Sequence, residues 1–223
     1  MTNNAHQTFP HLAPKGAKIC GIRTKADYDH CADAGAAFVG MVFFEKSPRH
    51  LTFDEAKRLA HAARPDGPVR VALTVDATDT FIDDINAACQ PDMFQLHGNE
   101  SPARAAAIKA RTNKPVMKAF RVKSPSDITQ AEAYYDVVDW LLFDADSGNP
   151  DMPGGTGHQF DWSLVKDLAP PLPWMLAGGL KAETLPLALA QTPACYFDVS
   201  SAVEATKGVK DHGLITNFIN AIK

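Results

Sequence analysis

Residues 17–44, AKICGIRTKADYDHCADAGAAFVGMVFF, decide how the rest of the chain is read. Ala17–Ile22 and Ala37–Phe43 are short apolar runs of β-prone residues, and Ala26–Ala34 between them repeats its apolar residues at helical spacing. A strand, a helix and a strand in so little chain form a βαβ unit, whose two strands lie parallel. The same alternation continues to the C-terminus. Further strands are predicted at Val69–Val75, Met93–Leu96, Val116–Phe120, Val137–Phe143, Trp174–Leu176 and Cys195–Val199. Helices fit the gaps at Phe53–Ala63, Phe81–Cys89, Pro102–Ala110, Ser126–Ala133, Trp162–Leu168, Ala182–Ala190 and Leu214–Ile222. Thr52 and Asp161 stand where a side-chain oxygen can cap the first turn of a helix.

Eight alternations in ~200 residues predict an α/β fold, a single (β/α)8 TIM barrel of parallel strands inside a ring of helices. A doubly wound open sheet fits the same periodicity, because periodicity does not show closure. No Gly-x-Gly-x-x-Gly follows the first strand, which weakens the dinucleotide-binding form of that alternative. Residues 17–223 read as one catalytic domain, and residues 1–16 as a polar leader whose composition allows flexibility.

With Lys+Arg 22 against Asp+Glu 26, the net charge of -4 gives no electrostatic reason to expect nucleic acid or an anionic membrane as partner. Nor does any segment approach the ~20 apolar residues of a membrane span. Cys20, Cys31, Cys89 and Cys195 show neither a CxxC pair nor metal-ligand spacing, which favours a reducing, cytoplasmic setting without a zinc site.

In a barrel of this kind catalytic groups come from the C-terminal strand ends and the loops after them. Cys20 ends the first strand, where a thiol is either a proton acceptor, if its surroundings favour the thiolate, or a core filler. Arg49, in Lys46-Ser47-Pro48-Arg49-His50 after the second strand, offers a planar fork for a carboxylate or phosphate, with a surface ion pair as the other reading. Asp76, Gln95, His97 and Arg121 follow at strands three to five, where a structural role for His97 and loop roles for Asp76 and Arg121 stay open. Asp144 emerges from the apolar run Trp140-Leu141-Leu142-Phe143. Desolvation there raises a carboxyl's pKa and suits a general acid, while a cap organising the next loop is the competing reading. That loop, 144–157, has the length and glycine content of a lid. Gly178-Gly179 and Ser200-Ser201, after strands seven and eight, allow backbone N–H groups to approach an anion, and a phosphate is the expected guest.

Several of these residues stand in ordered motifs. They are Lys18-Ile19-Cys20-Gly21-Ile22, residues 40–44 with Ser47-Pro48-Arg49, Gln95-Leu96-His97-Gly98, and Leu142-Phe143-Asp144. Gly154-Gly155-Thr156-Gly157 with Phe160-Asp161-Trp162, Ala177-Gly178-Gly179-Leu180, and Asp198-Val199-Ser200-Ser201 with Val203-Glu204 complete the series. In this order and spacing the chain, from about Lys18 to its C-terminus, resembles the phosphoribosylanthranilate isomerase family. The resemblance implies an Amadori rearrangement of N-(5-phosphoribosyl)anthranilate to 1-(2-carboxyphenylamino)-1-deoxyribulose 5-phosphate in tryptophan biosynthesis, with no cofactor and no metal. It implies a small phosphosugar as ligand; a monomer and a homodimer both fit the sequence. By the same resemblance Asp144 is the general acid that protonates the furanose ring oxygen, and Cys20 is the general base that removes the C2 proton. Arg49 then holds the anthranilate carboxylate, and Gly155, Gly178, Gly179, Ser200 and Ser201 cradle the phosphate. His97 and Asp198 match positions near the sugar.

The chain departs from the family pattern in three places. Ala202 stands where glycine is usual, and Ala72-Leu73-Thr74-Val75-Asp76 replaces the commoner Gly-Val-Phe-Val-Asn at the wall of the aromatic pocket. Ala145-Asp146 replaces a pattern that often carries lysine. Other phosphosugar barrels make different demands: an indoleglycerol-phosphate synthase needs a catalytic lysine, for which Lys118 is the candidate, and a metal-dependent epimerase needs clustered His and Asp ligands. A barrel that binds phosphosugars without turnover is the alternative from outside enzymology.

Overall fold

Eight parallel strands close into one barrel in the computed structural model, which describes residues 8–145 and 161–223. They are β1 (Gly16–Cys20), β2 (Phe38–Phe43), β3 (Val69–Thr74), β4 (Met93–Leu96), β5 (Val116–Val122), β6 (Trp140–Ala145), β7 (Trp174–Leu176) and β8 (Tyr196–Val199). Each pairs with the next, and β8 returns to β1 in a register running from Gly16↔Tyr196 to Ile19↔Val199. That last pairing is what excludes the open sheet.

Side chains alternate across each strand, so every second residue points into the barrel. Inward-facing Phe38, Trp140 and Tyr196 meet edge to face with ring centroids 5.2, 5.7 and 5.1 Å apart, and Met93, Met117 and Met175 fill the space around them. Burying each such side chain contributes about 1.5–3 kcal/mol. Ahead of β1, Leu12 is buried in the same cluster, Phe9 packs edge-on to Phe38, and the Tyr196 hydroxyl donates to the Ala13 carbonyl at 2.7 Å. The N-terminal end of the barrel is thus plugged with apolar groups, and the inward-facing polar groups gather at the C-terminal mouth.

Among the described residues seven α-helices surround the strands: α1 (Lys25–Ala34), α2 (Phe53–Ala62), α3 (Asp79–Cys89), α4 (Pro102–Thr112), α5 (Pro125–Thr129), α6 (Leu185–Gln191) and α7 (His212–Asn220). Thr24, Thr52, Thr78, Ser101 and Asp211 each accept the N–H three residues on, which explains where five of them start. The segment expected as a helix at 162–168 is instead a 3₁₀ turn, Trp162–Leu164, and Pro170, Pro171 and Pro173 bar any helix from running on toward β7. Ser126–Ala133 divides into α5 and a 3₁₀ stretch, Gln130–Tyr134. α6 starts at Leu185 rather than Ala182, since Pro186 lacks an N–H and is tolerated only in a first turn.

Periodicity did not point to one element, a hairpin of β9 (Glu204–Thr206) and β10 (Val209–Lys210) that turns at Gly208 with φ +83°. A Cβ at Gly208 would lie 2.7 Å from the Pro48 carbonyl, so the hairpin rests directly against the loop carrying Arg49.

Candidate active site

On β1, Lys18 and Cys20 are two residues apart and therefore face the barrel interior together. Lys18 is completely buried and its Nζ donates to Asp198 Oδ1 at 2.8 Å. Burial works against that charge, but Asp198 and then Cys20 more than offset it, leaving the Lys18 pKa above its ordinary value. Cys20 is 5% exposed. Burial pushes its thiol up; Lys18, Lys210 and Arg49 pull it back and Asp198 adds to the rise, and the balance leaves its pKa above the ordinary cysteine value. The residue opposite must be glycine, because a Cβ at Gly40 would lie 2.8 Å from Cys20 Sγ. Around the thiol, Val42 and Leu73 form an apolar patch with Phe44 and Val75 packed against it.

Arg49 reaches this wall from the loop after β2. Its Nε and Nη2 donate to the two carboxylate oxygens of Glu204 at 2.6 and 3.0 Å, in a pair that is almost wholly buried. An ion pair is present, then, but on the site wall and not at the surface. Gly21, at φ +88°, makes room for it: a Cβ there would lie 2.6 Å from Arg49 Cδ. Lys210 Nζ donates to Glu204 Oε1 at 3.0 Å and to the Ser200 carbonyl at 2.9 Å, and Ser200 Oγ donates to the Cys20 carbonyl at 3.1 Å. Burial alone would raise Glu204, yet Arg49 and Lys210 hold it below the usual carboxylate range. For Lys210 burial prevails, and its pKa lies below the ordinary lysine value despite Glu204.

Across the mouth the groups are different in kind. Asp144 is 5% exposed at the end of β6, in register with Arg121 of β5. His97 Nε2 lies 3.6 Å from Asp144 Oδ2, beyond hydrogen-bond distance. With the Gln95 amide nitrogen donating to His97 Nδ1 at 3.1 Å, the imidazole proton sits on Nε2 and points toward Asp144. Burial, followed by Lys118, Lys18 and Arg121, pushes the His97 pKa down to about 3, so the ring is neutral at neutral pH. Gln95 Oε1 and His97 Nε2 have no hydrogen-bond partner among the described residues.

Beside Asp144 and Asp198 opens a cavity of about 460 Å³, lined by Gly178, Gly179, Ser200 and Ser201. Gly178 and Gly179 have φ +91° and +67°, a left-handed backbone that glycine adopts without strain. Gly155, and all of the expected lid from residue 146, lie outside the described residues.

The mouth brings together Cys20, Arg49, Asp198 and the paired glycines and serines with Asp144 and His97, but it does not include Asp76 or Lys118. Asp76 ties two loops: its Oδ1 accepts the Asn99 N–H at 2.7 Å and its own N–H donates to Glu100. Lys118 sits outside the barrel wall, donating to the Gly98 carbonyl at 2.8 Å and to Glu100 at 3.2 Å. Lys18 and Glu204 entered the sequence reading only as parts of motifs, and Lys210 was missed by it. A lysine two places before Cys20 on a buried strand was a readable signal for the first. Among the described residues, no three His, Cys, Asp or Glu side chains cluster as metal ligands, and no helix is long and apolar enough to cross a membrane.

The family model for N-(5'-phosphoribosyl)anthranilate (PRA) isomerase matches residues 17–221. An N-(5'-phosphoribosyl)anthranilate isomerase from Cereibacter sphaeroides is 48% identical over 213 residues, covering 95% of this chain and all of the relative. Another from Allorhizobium ampelinum is 44% identical, with 92% of each chain covered. The crystal structure of phosphoribosyl anthranilate isomerase from Thermotoga maritima superposes with a TM-score of 0.83 at 32% identity, over 93% of this chain and 98% of that one. A crystal structure of such an isomerase in complex with reduced 1-(o-carboxyphenylamino)-1-deoxyribulose 5-phosphate gives a TM-score of 0.81 at 31% identity, with the same coverage.

Proposed function

The chain belongs to the N-(5'-phosphoribosyl)anthranilate isomerase family, and from that premise we propose how its own residues divide the work of the reaction. It is an isomerase of tryptophan biosynthesis. Asp144 protonates the furanose ring oxygen of N-(5-phosphoribosyl)anthranilate, the C1–O bond breaks, and the sugar opens to a protonated Schiff base. Cys20, as thiolate, takes the C2 proton, and the electron pair moves toward the imine to give an enolamine that tautomerises to the ketone. The product, 1-(2-carboxyphenylamino)-1-deoxyribulose 5-phosphate, contains the same atoms as the substrate. The iminium is its own electron sink, so the balance calls for no cofactor and no metal. Its positive charge, arriving beside Cys20, also favours the thiolate at the step that uses it.

The anthranilate ring lies against Val42 and Leu73. Its carboxylate takes the Nη1 edge of Arg49, the edge opposite the one engaged by Glu204. The phosphate sits among Gly178, Gly179, Ser200 and Ser201, with Gly155 as the contribution of the loop after β6, and Asp198 and His97 face the sugar. Residues 17–223 act as one catalytic barrel. Since the described site residues come from one chain, a monomer and a homodimer serve equally, and four free thiols suit the cytoplasm.

The observation that carries this reading is the meeting, at one mouth, of an inward thiol at Cys20 on β1 and an inward carboxyl at Asp144 on β6, both buried. Cys20→Ser and Asp144→Asn are each expected to lower kcat/KM for phosphoribosylanthranilate by about 10²–10⁴-fold with unchanged circular dichroism. Near-normal turnover in either variant removes the role assigned to that residue.

A further inference from the structure

Lys210 belongs to the β9–β10 hairpin and not to a barrel strand, and the catalytic scheme gives it nothing to do. It is nonetheless 7% exposed, and its ammonium joins three parts of the site. It holds the Ser200 carbonyl in the phosphate loop at 2.9 Å. It shares Glu204 with Arg49, donating at 3.0 Å to the same Oε1 that accepts from Arg49 Nε. Through Ser200, whose hydroxyl donates to the Cys20 carbonyl, it bears on the backbone of the base.

The charges around the thiol can be counted by element. Lys18 faces Cys20 from β1, Arg49 from the loop after β2 and Lys210 from β10, while Asp198 faces it from β8; Glu204 of β9 lies behind, paired with Arg49 and Lys210. Lys210 in turn faces Glu204, Cys20 and Arg49, and more distantly Cys31 of α1. Three cations against two carboxylates leave one positive charge, the charge a thiolate would balance.

Resting on the reading of Cys20 as the base, we propose that Lys210 is a positioning residue that supplies the charge balanced by the Cys20 thiolate and ties the phosphate loop to the base. Without that charge the thiolate forms at higher pH. Because kcat/KM follows the ionisation of the free enzyme's essential base, its ascending limb shifts upward.

The test measures kcat/KM against pH for wild type, Lys210→Gln, Lys210→Met and Lys210→Arg. Glutamine keeps a hydrogen-bonding head without charge. Its limb is expected to move up by about one pH unit, giving a roughly tenfold loss at neutral pH that shrinks in alkali. Lys210→Met is to show the same displacement and Lys210→Arg is to restore the wild-type limb. Alkylation of Cys20 by iodoacetamide, followed by mass spectrometry of its peptide, is to move in step. A loss that is independent of pH overturns the proposal, as does failure of both neutral variants to fold. Cys20→Ser in the same assay separates the two ideas. If it stays active the base assignment fails; if it is inactive while the Lys210→Gln limb stays put, only the role of Lys210 fails.

Discussion

The two sides of the barrel mouth differ in how densely they are charged. On the side of β1, β2 and β8, Cys20 is surrounded by the ion pairs Lys18–Asp198, Arg49–Glu204 and Lys210–Glu204, all at 3.0 Å or less. On the side of β4 to β6 stand a neutral His97 and Gln95, with Arg121 of β5 in register with Asp144, and two polar atoms there find no partner among the described residues. A base that must become anionic needs cations near it, whereas burial beside a neutral ring favours the protonated form of a carboxyl. A barrel can supply both because each strand places its inward residue independently of the others.

The comparison would break if both sides governed one step, so the largest effect expected is also the sharpest test. With substrate carrying deuterium at C2, Cys20→Ser slows cleavage of that bond, and the isotope effect on kcat/KM rises toward its full value. Asp144→Asn slows ring opening, and the isotope effect falls toward unity. Both variants lose about 10²–10⁴-fold in rate. The same change in isotope effect in both would merge the two roles.

A second, smaller effect concerns the neutral ring on the acid side. His97 has a folded-state pKa of about 3 against 6.5 when unfolded, so the unfolded chain takes up its proton first as pH falls. The stability this contributes is fully present above pH 6.5 and drains away toward pH 3. Glu204, held low by Arg49 and Lys210, loses stability in acid as well, which makes the difference between proteins the useful quantity. In urea denaturation, the fall in stability from pH 7 to pH 4 is expected to be about 3 kcal/mol smaller for His97→Gln than for wild type. Equal falls would mean that His97 is not buried as the neutral ring.

How far each side was legible in the sequence follows from the range of the interactions. Strand–helix alternation is local, and it located β4 and β7 to the residue while missing the 3₁₀ turn Trp162–Leu164 after β6. Closure rests on β1 meeting β8, which no periodicity encodes. Cys20 and Asp144 stood out because they terminate apolar strands, but their separate roles came from the family resemblance and not from pattern. Arg49 and Glu204 are 155 positions apart, and nothing local announces that they share a bond. The acid side was clearer for the opposite reason: Gln95 and His97 are two residues apart on one strand and so must share a face.

The least costly test separates unpartnered atoms that await a ligand from one that is simply unpaid for. Gln95 Oε1 and His97 Nε2 are without a partner among the described residues, on the side of the mouth that carries Asp144. Thr74 Oγ1 is also without a partner among the described residues, but Thr74 is fully buried on the outer face of β3, one residue on from inward-facing Leu73. It stands where the commoner family pattern has phenylalanine, so its hydroxyl is buried with nothing to gain. Thr74→Val keeps the shape and removes the orphan. It is expected to raise stability by about 1 kcal/mol in urea denaturation and to leave kcat/KM unchanged. Gln95→Met removes an orphan too, yet is expected to lower kcat/KM, because it frees the His97 ring that points its proton at Asp144. If Thr74→Val also lowered activity, the outer layer of β3 would be shaping the aromatic pocket, and the division of labour would extend beyond the two sides of the mouth.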